Sequence, residues 1–498
     1  MRWNLAAGLL GTAWAALMGL VFLPLYIRYL GTEGWGVVGF CLTLQAWMSM
    51  VDSGTSPALN RELARFRGGL RDVVGTADLV RSAELLYLAI GAVAVLLVAA
   101  ASSWLASAWL RGETLAPQAI AAGLRWMGLV IAFQWLASLY RHALLGLQLQ
   151  VFPHLTAAVV ATARGLLTWA ALYAIAPTVE VFVGVQLAAT AAEALALRRQ
   201  LRRSVPQCRQ GRWSLAALAE LRQFAAGLTG IALLAVLLTQ GDKLLLSKLL
   251  SLQDFGFVML AVTVAGALAL IAAPVFNLCY ARLSELAGRP EAAARLADEY
   301  HRWSQLLAVL VLAPAAVLAF FAHDLLQLWT RNATLATAVA PLLSLWVVGQ
   351  ALNALVSVPY AAQLAHGWTR LGLVVNAVAV AVLAPVTLWL VPAFGAIAAG
   401  WIWVAINLGY VVVEVLLMHR QILRGEAARW YVQSLLAPLL ASGAVAAAFA
   451  AWRRRHDAIP EPALLALIVA CGICAALAAL AVAPRPRDSA IRWLRSRA

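Results

Sequence analysis

A chain of 498 residues would ordinarily fold as about three soluble domains, but its composition excludes that. Apolar residues make up 63% of it and charged residues 12%, roughly half the share of about 25% that soluble chains carry, so most of its solvent must be lipid. The net charge of +15, from 37 basic and 22 acidic residues, reads as Arg flanking membrane spans rather than as a nucleic-acid footprint.

A spanning helix needs roughly 20 apolar residues, and fourteen such stretches follow one another along the chain. The first, within the run 5–26, is long enough to span and stay rather than be cleaved as a leader. Six helices are predicted at 6–28, 36–54, 82–104, 117–140, 153–175 and 180–200. Six more follow at 224–244, 256–278, 303–322, 338–361, 371–391 and 396–418, and two trail at 432–451 and 463–483. The expected class is an all-α polytopic membrane protein. Its parts are an N-terminal six-helix bundle (1–201), a basic cytoplasmic linker (202–223), a second six-helix bundle (224–422), and two extra helices with a basic tail (423–498). With both termini cytoplasmic, about 27 basic residues fall inside and about seven outside, as the positive-inside rule requires. Arg453, Arg454 and Arg455 are the exception, since they face outside if all fourteen helices span. Segments 57–71 and 281–302 read as amphipathic cytoplasmic linkers at the membrane surface. Cys471 and Cys474 sit in an apolar run and read as lipid-facing filler rather than a metal pair; no metal or cofactor is expected.

The two six-helix sets match each other at an offset of 217–221 residues. GTEGWGVV at 31–38 faces SLQDFGFV at 251–258, and PALN at 57–60 faces PVFN at 274–277. Asp78, Arg81 and Glu84 align with Glu299, Arg302 and Gln305. Tyr140 and Gly146 align with Tyr360 and Gly367, and Glu193 with Glu414. Because each unit holds an even number of helices, the copies share one orientation, which is the layout of transporters that rock between two access states.

The stretches YIRYLGTEGWGVVGF, DSGTSPALNRELAR, QGDKLLLSKLLSLQDFGFVMLA and YRHALLGLQ resemble the polysaccharide-transport branch of the multidrug/oligosaccharidyl-lipid/polysaccharide exporter superfamily. These are flippases for polyprenyl-diphosphate-linked oligosaccharides. The resemblance covers the whole chain and implies a V-shaped pair of six-helix bundles around a hydrated cavity. The glycan head group would cross there while the lipid tail stays in the bilayer.

A charge within a spanning helix costs about 2.5–3.5 kcal/mol on insertion scales, so each one needs a reason. Arg164 lies near the middle of the fifth predicted helix and Arg125 a third of the way into the fourth; neither has an acidic partner in its own helix. With Arg28 and Lys243 they are the candidate diphosphate-binding residues, because guanidinium forks match phosphate oxygens. Asp242, Asp52, Glu193 and Glu414 are candidates for coupling to a proton or sodium gradient. The plainer roles are a turn cap for Asp52 and ion pairs with Arg198, Arg199 and Arg420 for the two glutamates. Pro24, in the first helix, is the candidate hinge. Most of the 20 Trp residues read as interfacial anchors or packing groups.

The expected function is outward flipping of a lipid-linked oligosaccharide in a bacterial inner membrane, with membrane lipids and the pathway's polymerase and glycosyltransferases as partners. A multidrug extruder of the same superfamily is the nearest alternative. A membrane glycosyltransferase on the same carrier is further off, because Glu113 and the His323-Asp324 pair stand in short loops without a second constellation. The chain is therefore not expected to be an enzyme.

Overall fold

The computed structural model describes the backbone of residues 2–456 and 459–488, and their side chains apart from 2–10, 12, 222–224, 226–228, 231, 234, 238 and 290. The end of the predicted basic tail, from 489 on, lies outside the described residues. Helices account for nearly all of the rest, and no β-sheet forms among the described residues. That is what lipid demands, since a helix satisfies its own backbone hydrogen bonds.

In chain order the helices are α1 (Arg2–Arg67), α2 (Val73–Trp104), α3 (Pro117–Gly146), α4 (Val151–Ala174), α5 (Val179–Ser204) and α6 (Leu215–Leu249). Then come α7 (Leu252–Ala265), α8 (Ala267–Leu286), α9 (Ala293–Phe320), α10 (Ala322–Thr330), α11 (Ala333–Ala365) and α12 (Thr369–Phe394). The chain continues through α13 (Ala396–Gly409), a π turn (Tyr410–Glu414), α14 (Val415–Gln421), α15 (Ala427–Arg429), α16 (Ala437–Arg454) and α17 (Glu461–Val482). Among the described residues, twelve helical stretches are long and apolar enough to cross a membrane, fewer than the fourteen expected. One of the twelve, Ala13–Arg67, runs for 55 residues. At 1.5 Å per residue it measures roughly 80 Å, against a hydrocarbon core of about 30 Å. It does not run straight: Gly31 takes φ 71° and ψ 178°, a conformation open to glycine and costly to other residues.

Several predicted boundaries fall short of the observed ones. The second predicted helix, 36–54, continues to Arg67, so most of the segment expected as an amphipathic linker at 57–71 is helical, as the end of α1, and a brief turn leads to α2 at Val73. Likewise α8 reaches Leu286 and α9 begins at Ala293. The polar triplet Asp52-Ser53-Gly54 does not stop α1, because its groups find partners within the helix or beside it. Ser53 Oγ donates to the Ser49 carbonyl at 2.9 Å, and Asp52 accepts from the Tyr87 hydroxyl at 2.6 Å and from Ser56. Gly54 has no side chain because the α6 backbone passes there: a Cβ would meet the Ala225 carbonyl.

The repeat is visible in the elements themselves. Helix α9 starts 220 residues after α2, α11 216 after α3, α12 218 after α4 and α13 217 after α5. The break at Gly31 has its counterpart between α6 and α7, at Leu250–Ser251.

Residues 1–256 and 257–498 form two compact units, with α7 passing from one into the other. In the first, α3 packs against α1, α2 and α5, and α6 lies along α1. The repeat-related turns also cross there reciprocally. A Cβ on Gly36 would run into the carbonyl of Leu252, and one on Gly256 into the carbonyl of Thr32. In the second unit α11 packs on α8, α9 and α13, while α9 also receives α16 and α17. Cys471 is fully buried in that last contact, with Ala316, Val317, Ala446 and Ile468. The lipid-facing role expected of it is therefore corrected; Cys474 is the exposed one. The exceptional Arg453 pairs with Asp324 at 3.3 Å, and Arg331 pairs with Glu461. Acidic partners thus offset the cations of these loops.

Candidate functional site

Four helices of the first unit converge on one buried carboxylate. Helix α5 supplies Glu193, with a side chain 7% exposed. Arg141 from α3 forms an ion pair with Oε1 of Glu193, and Arg164 Nη2 from α4 lies 3.8 Å from Oε2. Both arginine side chains are 37% exposed, so the acid is sealed while its cations remain reachable. The Nε atoms of Arg141 and Arg164 are buried and make no hydrogen bond among the described residues. Helix α1 closes against α4 because Gly165 leaves room for the Phe22 ring. That brings Tyr26 beside Thr168 and Arg164, held edge-on against Phe182 at 5.2 Å. Gln186 of α5 donates to Thr168 Oγ1 at 3.3 Å. The trio carries two positive charges and one negative. An ionised carboxylate with a side chain this buried persists only when paired, and two guanidiniums more than meet that need.

The sequence candidates fare differently. Arg164, which has no acidic partner in its own helix, shares Glu193 across helices. Glu193 in turn pairs with Arg141 and Arg164 rather than with Arg198 or Arg199. Arg125 does not join the site: it precedes Arg141 by sixteen residues on one helix, roughly 24 Å along the axis. It is exposed, with Nε 3.3 Å from Ser102 Oγ. Arg28 is exposed, two residues past Tyr26 on α1, which places it on a different face. Lys243 Nζ lies 3.1 Å from Asp242 Oδ1 and donates to the Thr239 carbonyl at 2.7 Å. This buried pair is therefore locally neutral. Asp52 is not a turn cap but a mid-helix acceptor for Tyr87 and Ser56. Glu414 does not pair with the exposed Arg420; it is buried and accepts a hydrogen bond from Gln363 Nε2 at 2.9 Å. Pro24 lies in continuous helix, and the non-helical backbone inside α1 is at Gly31.

Sequence reading passed over Arg141, although it follows Tyr140, a residue the repeat alignment had marked. It also missed two acidic hubs of the same unit. Glu84, 4% exposed, takes Tyr140 at 2.6 Å, Arg81 at 3.0 Å, Arg202 at 3.5 Å, and Arg198. Glu33 accepts the backbone N–H groups of Glu113, Thr114 and Leu115 and the Thr114 hydroxyl. Outside the spans, Asp72 caps α2 by accepting from the Gly75 amide, and that bond holds its carboxyl below the ordinary range. Glu113 is exposed, and Asp324 is engaged with Arg453. Of the Trp residues within helices, Trp135 donates to the Met48 carbonyl at 3.1 Å, and Trp346 stacks on Trp403 at 5.2 Å.

Comparison with known proteins bears on this arrangement. A family model described as "Polysaccharide biosynthesis protein" matches residues 3–287, and the MatE model matches 286–390. No curated protein matches the chain in sequence. Among solved structures, a lipid II flippase MurJ in an inward closed conformation superposes with TM-score 0.71 at 11% identity, covering 94% of this chain and 97% of its own. An inward-facing multidrug resistance MATE family transporter of the MOP superfamily gives TM-score 0.65 at 14% identity, covering 82% and 94%. A MOP superfamily transporter from Pyrococcus furiosus, described by the reverse polarity of its binding pocket, gives 0.56 at 13%, covering 84% and 94%. At these identities the likeness is one of fold.

Proposed function

Because this chain belongs to the polysaccharide biosynthesis protein family, within the superfamily of multidrug, oligosaccharidyl-lipid and polysaccharide exporters, we propose that it is a flippase for a polyprenyl-diphosphate-linked oligosaccharide. It carries its substrate from the cytoplasmic to the outer leaflet of a bacterial inner membrane, by alternating access of six-helix bundles at 1–201 and 224–422. The observation that supports this most is the pair Arg141 and Arg164 on the single carboxylate of Glu193.

The chemistry follows from the charges. Without substrate, Glu193 compensates both guanidiniums in part and keeps them from standing as unpaired charges in a low dielectric. A diphosphate offers more negative charge and more acceptor oxygens than one carboxylate, and Arg binds phosphate through two parallel N–H bonds. The unpartnered Nε–H groups supply the extra donors. Substrate thus exchanges with Glu193 for the same cations. Outward movement of an anion down an inside-negative potential releases about 2.3 kcal/mol per charge per 100 mV, which favours the assigned direction. The reciprocal crossing at Gly36 and Gly256 provides a seal that must part when the outer side opens.

A second reading, extrusion of cationic drugs, draws on the buried carboxylate of Glu414 in the second unit. Direct binding separates the two. Each charged hydrogen bond lost costs about 1.5–3 kcal/mol, so Arg164→Ala and Arg141→Ala should each weaken binding of a short polyprenyl diphosphate by about 10- to 150-fold. Unchanged affinity for the diphosphate in both variants, with Glu414-dependent binding of a cationic dye, would overturn the flippase reading in favour of drug extrusion.

A further inference from the structure

Glu193 and Glu414 are repeat-related, yet their surroundings differ in kind. The first has two arginines. The second has none: the counterpart of Arg141 is Ala361, and residues 381–384, at the place of Arg164, are Ala, Val, Leu and Ala. Glu414 is 5% exposed and ends the π turn Tyr410–Glu414, a helix distortion that recurs at functional sites. Among the described residues no Lys, Arg or His reaches it as an ion pair. Its hydrogen bond comes from Gln363 Nε2 at 2.9 Å. Gln363 itself is fully buried, and its Oε1 has no hydrogen-bond partner among the described residues. An orphaned buried acceptor next to an uncompensated buried acid is explained by one added atom.

We propose that Glu414 and Gln363 form a proton-binding site, loaded in this conformation, through which the flippase exchanges a proton. The neutral acid donates its O–H to Gln363 Oε1 while Gln363 Nε2–H donates to the acid's other oxygen, closing a ring of two hydrogen bonds. Loss of the one proton leaves a carboxylate oxygen facing the amide oxygen, both acceptors, so the ring opens to the single Nε2–H bond and the paired contact between α11 and the π turn changes. The titratable neighbours do not supply a counter-charge. Tyr360 lies on α11, and Tyr410, on the π turn, gives its hydroxyl to Asn376 of α12 at 2.9 Å. His419 of α14 bonds the Val415 carbonyl at 2.8 Å and packs on Tyr300. The ion is a proton rather than sodium, because an N–H aimed at the carboxylate repels a metal ion, which needs several oxygen donors. The coupling half of the proposal rests on the flippase reading above; the proton-binding half does not.

Infrared difference spectra of the purified full chain, between neutral and alkaline pH, test the binding half. Wild type should lose a protonated-carboxyl carbonyl band that Glu414→Gln lacks, and Gln363→Leu should move the titration. Identical spectra for wild type and Glu414→Gln would overturn the site. In proteoliposomes, a pH gradient should drive flipping of a fluorescent polyprenyl-diphosphate glycan by wild type, and that dependence should be lost in Glu414→Gln. Flipping driven by sodium, or indifferent to the pH gradient, would overturn the coupling. A wild type that moves no glycan at all would refute the flippase reading, while the spectra still decide the proton site.

Discussion

The reciprocal crossing of the two turns makes a quantitative prediction. In Gly256→Ala the new methyl would be driven into the Thr32 carbonyl and the Gly36 amide, which are backbone atoms that no side-chain rotation can move aside. Overpacking of this kind costs about 1–3 kcal/mol, and the arrangement with the turns apart should gain about 5- to 150-fold in population. A single cysteine placed at Thr32, in a background with Cys474 replaced, reports this by its labelling rate with a membrane-impermeant maleimide applied from the outer side. Gly256→Ala should raise that rate within the stated range. Gly19→Ala is the control, since a Cβ there meets nothing. A rate unchanged in Gly256→Ala, or raised equally by Gly19→Ala, would show that this contact does not constrain the outer side.

Other expectations concern stability and reactivity. Glu84→Gln removes the anion shared by Arg81, Arg198 and Arg202; breaking a buried pair costs about 3–5 kcal/mol, read as a lowered melting temperature in detergent. Asp72 has a folded pKa below its ordinary value because the Gly75 amide favours its charged form. Its contribution to the start of α2 is present above the unfolded pKa and is lost as pH falls through the lower folded one. Amide exchange at Gly75 should accordingly speed up in that acid range, and Asp72→Asn should abolish the pH dependence. Burial pushes the Cys208 thiol up to about 11, so it should react with maleimide at neutral pH far more slowly in the folded protein than in the unfolded chain. Comparable labelling in the two states would contradict the burial of Cys208.

The sequence revealed the class and the repeat because both are written in long periodic signals: apolar runs of spanning length, and motifs recurring near 220 residues apart. It mistook the end of the second helix because a polar triplet looks like a stop when partners such as Tyr87, 35 residues away, are out of view. The same blindness governed the site. Arg164 was legible as a charge that needed a reason, but its reason, Glu193, belongs to the next helix, and Arg141 joins it across 52 residues. Ion pairs between helices depend on packing register, which composition and spacing do not determine. Glu33 escaped for another cause: its partners are backbone amides at 113–115, and these carry no sequence signature.

The central claim is that Arg141 and Arg164 hold a diphosphate during flipping, and leaflet-resolved analysis of lipid-linked glycan in cells lacking the gene tests it most directly. The account predicts that unflipped carrier accumulates on the inner leaflet, that wild type clears it, and that an Arg141→Ala, Arg164→Ala double variant of normal abundance does not. Clearance by the double variant at the wild-type rate would contradict it.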